Sequence, residues 1–155
     1  MRRFTLLLTG LIVASVSYAQ SFTEEVDLYQ AAFGMEKKAI VEYFVNPDDS
    51  HKEAFWKVYD EYEVKRKELG KQRLDVLMKY ANTWENMNDE QADDFMKDLL
   101  KLKSSTDKLL ASYYKKMKKA TTPSVGAQFF QVESYILTVV RFHLQESIPF
   151  IAKDN

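Results

Sequence analysis

Between Ser50 and Thr121 the chain contains no proline and a single glycine, Gly70. A run of that length cannot be divided into short strands joined by tight turns, because such turns depend on glycine and proline at particular positions. Long helices are what remains. Composition agrees, since Ala, Leu, Lys, Glu, Gln and Met are frequent and the whole sequence has only 4 glycines and 3 prolines. Strong breaks fall at Asn46-Pro47-Asp48-Asp49-Ser50 and at Thr121-Thr122-Pro123-Ser124, with a subtler one at Asn86-Met87-Asn88-Asp89. These breaks predict an all-α protein, a bundle of about four long antiparallel helices.

The amino terminus reads as a segment outside that fold. Met1-Arg2-Arg3 is followed by an apolar stretch to Val16 and then by Ser17-Tyr18-Ala19-Gln20. A positive start, an apolar core too short to span a bilayer comfortably and a small-residue exit define a signal peptide cleaved after Ala19. Residues 1–19 are therefore expected to be removed, leaving residues 20–155 as one helical domain that is periplasmic or secreted, with no integral membrane segment. Without Arg2 and Arg3 the mature chain has a small acidic excess, which argues against a nucleic-acid partner. There is no cysteine, so neither disulfides nor a lipid-modified cysteine can hold it.

Apolar residues recur at three- and four-residue steps in each segment. The first helix is expected over about residues 23–44, with Val26, Tyr29, Phe33, Ile40 and Phe44 on one stripe and a capping box from Ser21 and Glu24. The second begins behind Ser50 and Glu53, another capping-box spacing, and carries Phe55, Tyr59, Tyr62, Leu69, Val76, Tyr80 and Trp84 to about Met87. Gly70 is a place for a bend or interruption. The third starts behind Asn88, has acids in its first turns, buries Ala92, Phe95, Leu99, Leu102, Thr106, Leu109, Tyr113 and Met117, and ends in Lys115-Lys116-Met117-Lys118-Lys119. Acids near the start and lysines near the end both suit the helix dipole. The fourth, about residues 124–147, is apolar on more than one face, which predicts a place between neighbours.

Little in the sequence carries chemistry. His51 and His143 belong to no metal motif, no serine sits in a nucleophile elbow, and no glycine-rich loop is present. The expectation is a non-enzyme with no catalytic residue, no cofactor and no metal site. Two features depart from a plain bundle. Arg66 and Arg73 occupy apolar seam positions of the second helix, and Gln131 and Glu133 interrupt the apolar fourth. Either these form an internal polar network of Arg66, Arg73 and Glu133, with a buried pair between Arg73 and Glu133 as one form of it, or the arginines reach water over the seam. Trp56, Tyr114 and Phe142 lie off the narrowest stripes and are candidates for an exposed apolar face that binds a flexible client or a partner subunit.

Met87-Asn88-Asp89-Glu90-Gln91 resembles the Leu-Thr-x-x-Gln motif of the Spy/CpxP family of periplasmic stress proteins, with methionine for leucine, asparagine for threonine and one copy in the chain. The stretch from Pro123 through Phe129-Phe130-Gln131-Val132-Glu133 to Ile148-Pro149 is similar to small exported bacterial proteins of the same type. The resemblance implies a long-helix protein that holds unfolded clients without ATP or docks on an envelope partner. Read from the residues, Asn88 and Gln91 act as a helix cap and not as a contact for substrate. A non-catalytic module that self-associates, for instance as a homodimer, is the alternative.

Overall fold

The computed structural model describes residues 37–151. The expected signal peptide, the capping box at Ser21 and most of the first mature helix lie outside the described residues. The chain divides into two units, residues 1–43 and 44–155. In the first, the described residues 37–43 are helical, and this helix, α1, ends at residue 44, ahead of Pro47. The second unit holds α2 (Lys52–Ala81), α3 (Asp89–Ala120) and α4 (Pro123–Ser147), with a 3-10 turn at Trp84–Asn86. No strand occurs among the described residues, and the protein is all-α, a helical bundle. No described helix is long and apolar enough to cross a membrane.

Side-chain pairs give the directions of the three helices. Tyr80 stacks on Phe95 and Tyr62 tilts against Tyr113, so α3 runs antiparallel to α2. Tyr114 meets Phe130 and Asp107 meets Arg141, so α4 runs antiparallel to α3. Tyr59 meets Phe129 and the Tyr80 hydroxyl donates to the Pro149 carbonyl, so α4 lies parallel to α2.

Local chemistry moved several boundaries. The Ser50–Glu53 capping box does not form, and α2 starts behind His51 without a side-chain cap. Asp48 organises this turn instead, accepting hydrogen bonds from the Ser50 hydroxyl at 2.6 Å and the His51 amide at 3.1 Å. An aspartate that bonds ahead of itself holds the Ser50 hydroxyl in its own turn and away from the Glu53 amide. α2 ends at Ala81, short of Met87, where the Thr83 hydroxyl donates to the Lys79 and Tyr80 carbonyls. It passes through Gly70 uninterrupted. In α3 the deeper leucine is Leu110, with Leu109 half-buried; in α2 it is Leu77, with Leu69 and Val76 half-buried. Neither shift exceeds one residue, because a helix stripe is wider than the line that marks its centre.

The core is densest where α3 turns into α4. Only Thr121 and Thr122 connect them, Thr122 accepts from the Val125 amide as a cap, and Pro123 occupies the first turn. This tight connection presses the helices together. A Cβ on Gly126 would stand 3.1 Å from the Lys118 backbone nitrogen, a tight contact that would push the two helices slightly apart, so glycine permits their close approach there. Around it Phe55, Tyr59, Tyr62, Tyr113, Met117 and Phe129 are buried, and Tyr62 touches Tyr113 and Phe129 in tilted and edge-on contacts of the kind aromatic quadrupoles favour.

Candidate functional site

One cluster imitates a catalytic triad and fails on connectivity. The Nδ1 of His51 lies 2.8 Å and 2.9 Å from the two Asp48 carboxylate oxygens and 3.2 Å from the Ser50 hydroxyl. A nucleophilic serine needs its proton taken by one imidazole nitrogen while an acid orients the other. Here serine and aspartate crowd the same nitrogen, and the serine proton is given to Asp48. The arrangement is a helix-start turn. The hydrogen bonds from Ser50 and from His51 hold the Asp48 carboxyl below its usual range. Among the described residues no group of His, Asp or Glu side chains converges as metal ligands would.

At the third break the geometry is that of a cap. The Asn88 side chain accepts from the Gln91 amide at 2.9 Å, and the Gln91 side chain accepts from the Asn88 amide at 3.0 Å. This reciprocal pair satisfies two donors at the start of α3.

The seam residues divide into two groups. Glu133, fully buried on α4, lies close enough to the Tyr62 hydroxyl of α2 and to Arg66 for its charge to act on both. Arg66 grips Glu63 on its own helix, with contacts of 2.8 Å and 3.0 Å. Burial disfavours the Arg66 charge, but the Glu63 hydrogen bond and the fields of Glu63 and Glu133 outweigh it, and its pKa is raised. Burial first, and then the nearby carboxylates, push the Tyr59 and Tyr62 hydroxyls well above the usual phenol range.

Arg73 does not belong to that group, which corrects the expectation of an Arg73–Glu133 pair. It faces the middle of the unit beside Asp107 and Arg141, which pair with each other at 3.1 Å. Burial and then the like charge of Arg141 lower its pKa against the pull of Asp107, and its Nη2 is buried without a hydrogen bond. The reason is distance along the helix. Two turns separate Arg66 from Arg73, about 10 Å, so one α4 carboxylate cannot serve both. Gln131 is exposed and takes no part.

The three aromatic candidates are dispersed over three helices. Trp56 is half-buried on α2 against Phe55 and Tyr59. Tyr114 is half-buried on α3, edge-on to Phe130 with the Lys118 ammonium over its ring. Phe142, 56% exposed on α4, is the one of the three at the surface. Its neighbours there are residues that sequence reasoning passed over. Tyr135, 68% exposed, stands seven positions earlier on the same face, with Thr138 exposed between them and Gln131 and Gln145 extending the stripe. The fourth helix packs on α2 and α3, as a place between neighbours implies, and keeps Tyr135, Thr138 and Phe142 exposed.

That outer face is unusual in charge. From Pro123 to Gln145 no exposed residue of α4 is Lys, Arg, Asp or Glu, since Glu133 is buried and Arg141 is half-buried against Asp107. The exposed positions of α2 are mostly lysine, glutamate and aspartate. The signal was present in the sequence as a charge-poor segment inside a chain with 29% charged residues. A cleft of about 390 Å³ on α3, lined by Leu100, Lys103, Ser104, Asp107, Lys108 and Ala111, draws these lining residues from one helix and is a surface groove. Compared with protein-family models, curated proteins and solved structures, the chain matches none of them.

Proposed function

We propose that the protein is an exported, non-catalytic binding protein that holds non-native polypeptides without nucleotide, in the manner of the Spy/CpxP-like chaperones its third break resembles. One observation carries the reading: between Pro123 and Gln145 the outer face of α4 shows Tyr135 and Phe142 and no exposed Lys, Arg, Asp or Glu, beside the heavily charged exposed positions of α2. Exposed aromatic side chains on a neutral background gain free energy by covering apolar segments and exclude no client by charge sign. Around them, the lysines and acids of α2 and α3 keep a loaded complex soluble. The test is whether the mature protein, at near-stoichiometric ratio and without ATP, slows aggregation of an unrelated unfolding protein. It should, and Tyr135→Lys with Phe142→Lys should remove the effect while helicity is retained. Equal suppression by the double variant would move the activity away from α4. Export is tested separately, by amino-terminal sequencing of the product, which should begin at Gln20.

The second reading, a module that self-associates, is favoured by the seven-residue spacing of the exposed stripe on α4.

A further inference from the structure

We infer that the outer face of α4 docks on the same face of a second copy, forming a two-fold dimer in which the helices run antiparallel and cross beside Thr138. The inference rests on the reading of this face as a binding surface and names its resting occupant. In a two-fold contact each patch meets itself, so a residue near the axis faces its own copy. A charged patch is then self-repelling whatever its sign. The exposed positions of α2 are mostly charged, and those of α3 include the acids of its first turns and the lysines of its last. Between Pro123 and Gln145 the exposed positions of α4 hold none.

Spacing supplies the register. Tyr135 and Phe142 lie seven residues apart, which places them on one face about 10.5 Å apart along the helix axis. An axis passing beside Thr138 falls midway between them. It brings Tyr135 of each copy against Phe142 of the other, giving two aromatic pairs where the single copy leaves the rings 68% and 56% exposed. Gln131 and Gln145 continue the stripe at its two ends with side chains that can both donate and accept. The seven-residue repeat is the one that keeps a seam between two helices in contact. A contact of one helix from each copy is smaller than the roughly 800 Å² per partner of a standard stable interface, so the dimer should open on dilution through the micromolar range. It would then release the face for a client.

Thr138 gives a test specific to the axis, since it is exposed and its hydroxyl only returns to the Ser134 carbonyl at 2.8 Å. In sedimentation velocity over a dilution series, the wild type should pass from dimer to monomer. Thr138→Glu and Thr138→Lys alone should each weaken association at least tenfold, and mixing the two should restore a dimer. A wild type that stays monomeric at high micromolar concentration would overturn the inference, including a monomer that binds an unfolded client or neutral phospholipid vesicles through this face. So would two variants that dimerise separately as well as the wild type. An aggregation assay on the same samples separates the two readings: a dimer that suppresses nothing supports this inference and removes the chaperone, and a monomer that suppresses does the reverse.

Discussion

Where α3 turns into α4, the side chains of Phe55, Tyr62, Met117, Phe129 and Glu133 are shut away from water almost completely. At the opposite end of the same three helices, Leu77 and Tyr80 are buried, but Phe95, Leu99, Leu144 and Ile148 are half-exposed. The residue types are similar. What differs is the connection: two residues join α3 to α4, whereas residues 82–88 and a 3-10 turn join α2 to α3. A short connection fixes where two helices start beside each other, and close packing follows only from there. The two seam arginines repeat the contrast. Arg66, next to the tight end, is held by Glu63 and lies in the field of Glu133, while Arg73, nearer the middle, keeps a buried donor without a hydrogen bond. The difference starts on the helix itself: Arg66 has Glu63 three positions before it, whereas Arg73 has Gly70 there and depends on residues of other helices.

The sharpest way to break this comparison is to empty the two ends in turn. Phe129→Ala should cost about 3–5 kcal/mol, the usual loss for a fully buried ring, and Phe95→Ala clearly less, because Phe95, stacked on Tyr80, is half-exposed. Denaturant unfolding of both variants checks it, and equal losses would mean the ends are equally packed.

The arginines come next. Arg66→Met removes the guanidinium that binds Glu63 and should cost roughly 2–3 kcal/mol, below the range for a fully buried pair because the guanidinium side chain is 22% exposed. Arg73→Met removes an unsatisfied donor and a repulsion with Arg141, so stability should be unchanged or rise by up to about 1 kcal/mol. Chemical denaturation of the pair decides it, and a destabilised Arg73→Met would show that Asp107 or an ordered water supports that side chain.

A smaller effect is expected at the start of α3. Asn88→Ala removes one half of the capping box and should cost about 0.5–2 kcal/mol, and Asn88→Ser should recover most of it. A loss of client binding at unchanged stability would instead make the Met87–Gln91 motif a contact surface.

The smallest effect concerns pH. Because the Asp48 carboxyl titrates below its usual value of 3.8, its contribution to the start of α2 is present above that value and is lost as pH falls through the lower, folded pKa. Asp48→Asn should flatten the acid limb of the stability curve slightly and leave stability near neutral pH little dependent on pH, measured by thermal unfolding from pH 2 to 6. An unchanged acid limb would place the acid sensitivity at other carboxylates.

The sequence alone determined the elements. Sparse glycine and proline, breaks at Pro47 and Pro123, and an asparagine three positions before Gln91 are local features, and helix starts and stops respond to local chemistry. Even the departures were local: Asp48 drew the Ser50 hydroxyl to itself and away from a cap on the Glu53 amide, and Thr83 bonded back to end α2 early. Partnership was legible only in part. Arg66, Arg73 and Glu133 stood out because they interrupt apolar stripes, yet their spacing along separate helices does not state which α4 residue lies opposite which turn of α2. The Glu63–Arg66 pair lies one turn apart on a single helix and is local, whereas only the tertiary structure decided that Arg73 meets Arg141 and Asp107. It also decided which side of α4 faces water. Val132, Tyr135, Val139 and Phe142 form as regular an apolar pattern as the buried stripe through Val125, Phe129 and Ile136. Periodicity gives a helix two equivalent candidate faces, and packing against α2 and α3 selects one, leaving Tyr135 and Phe142 exposed.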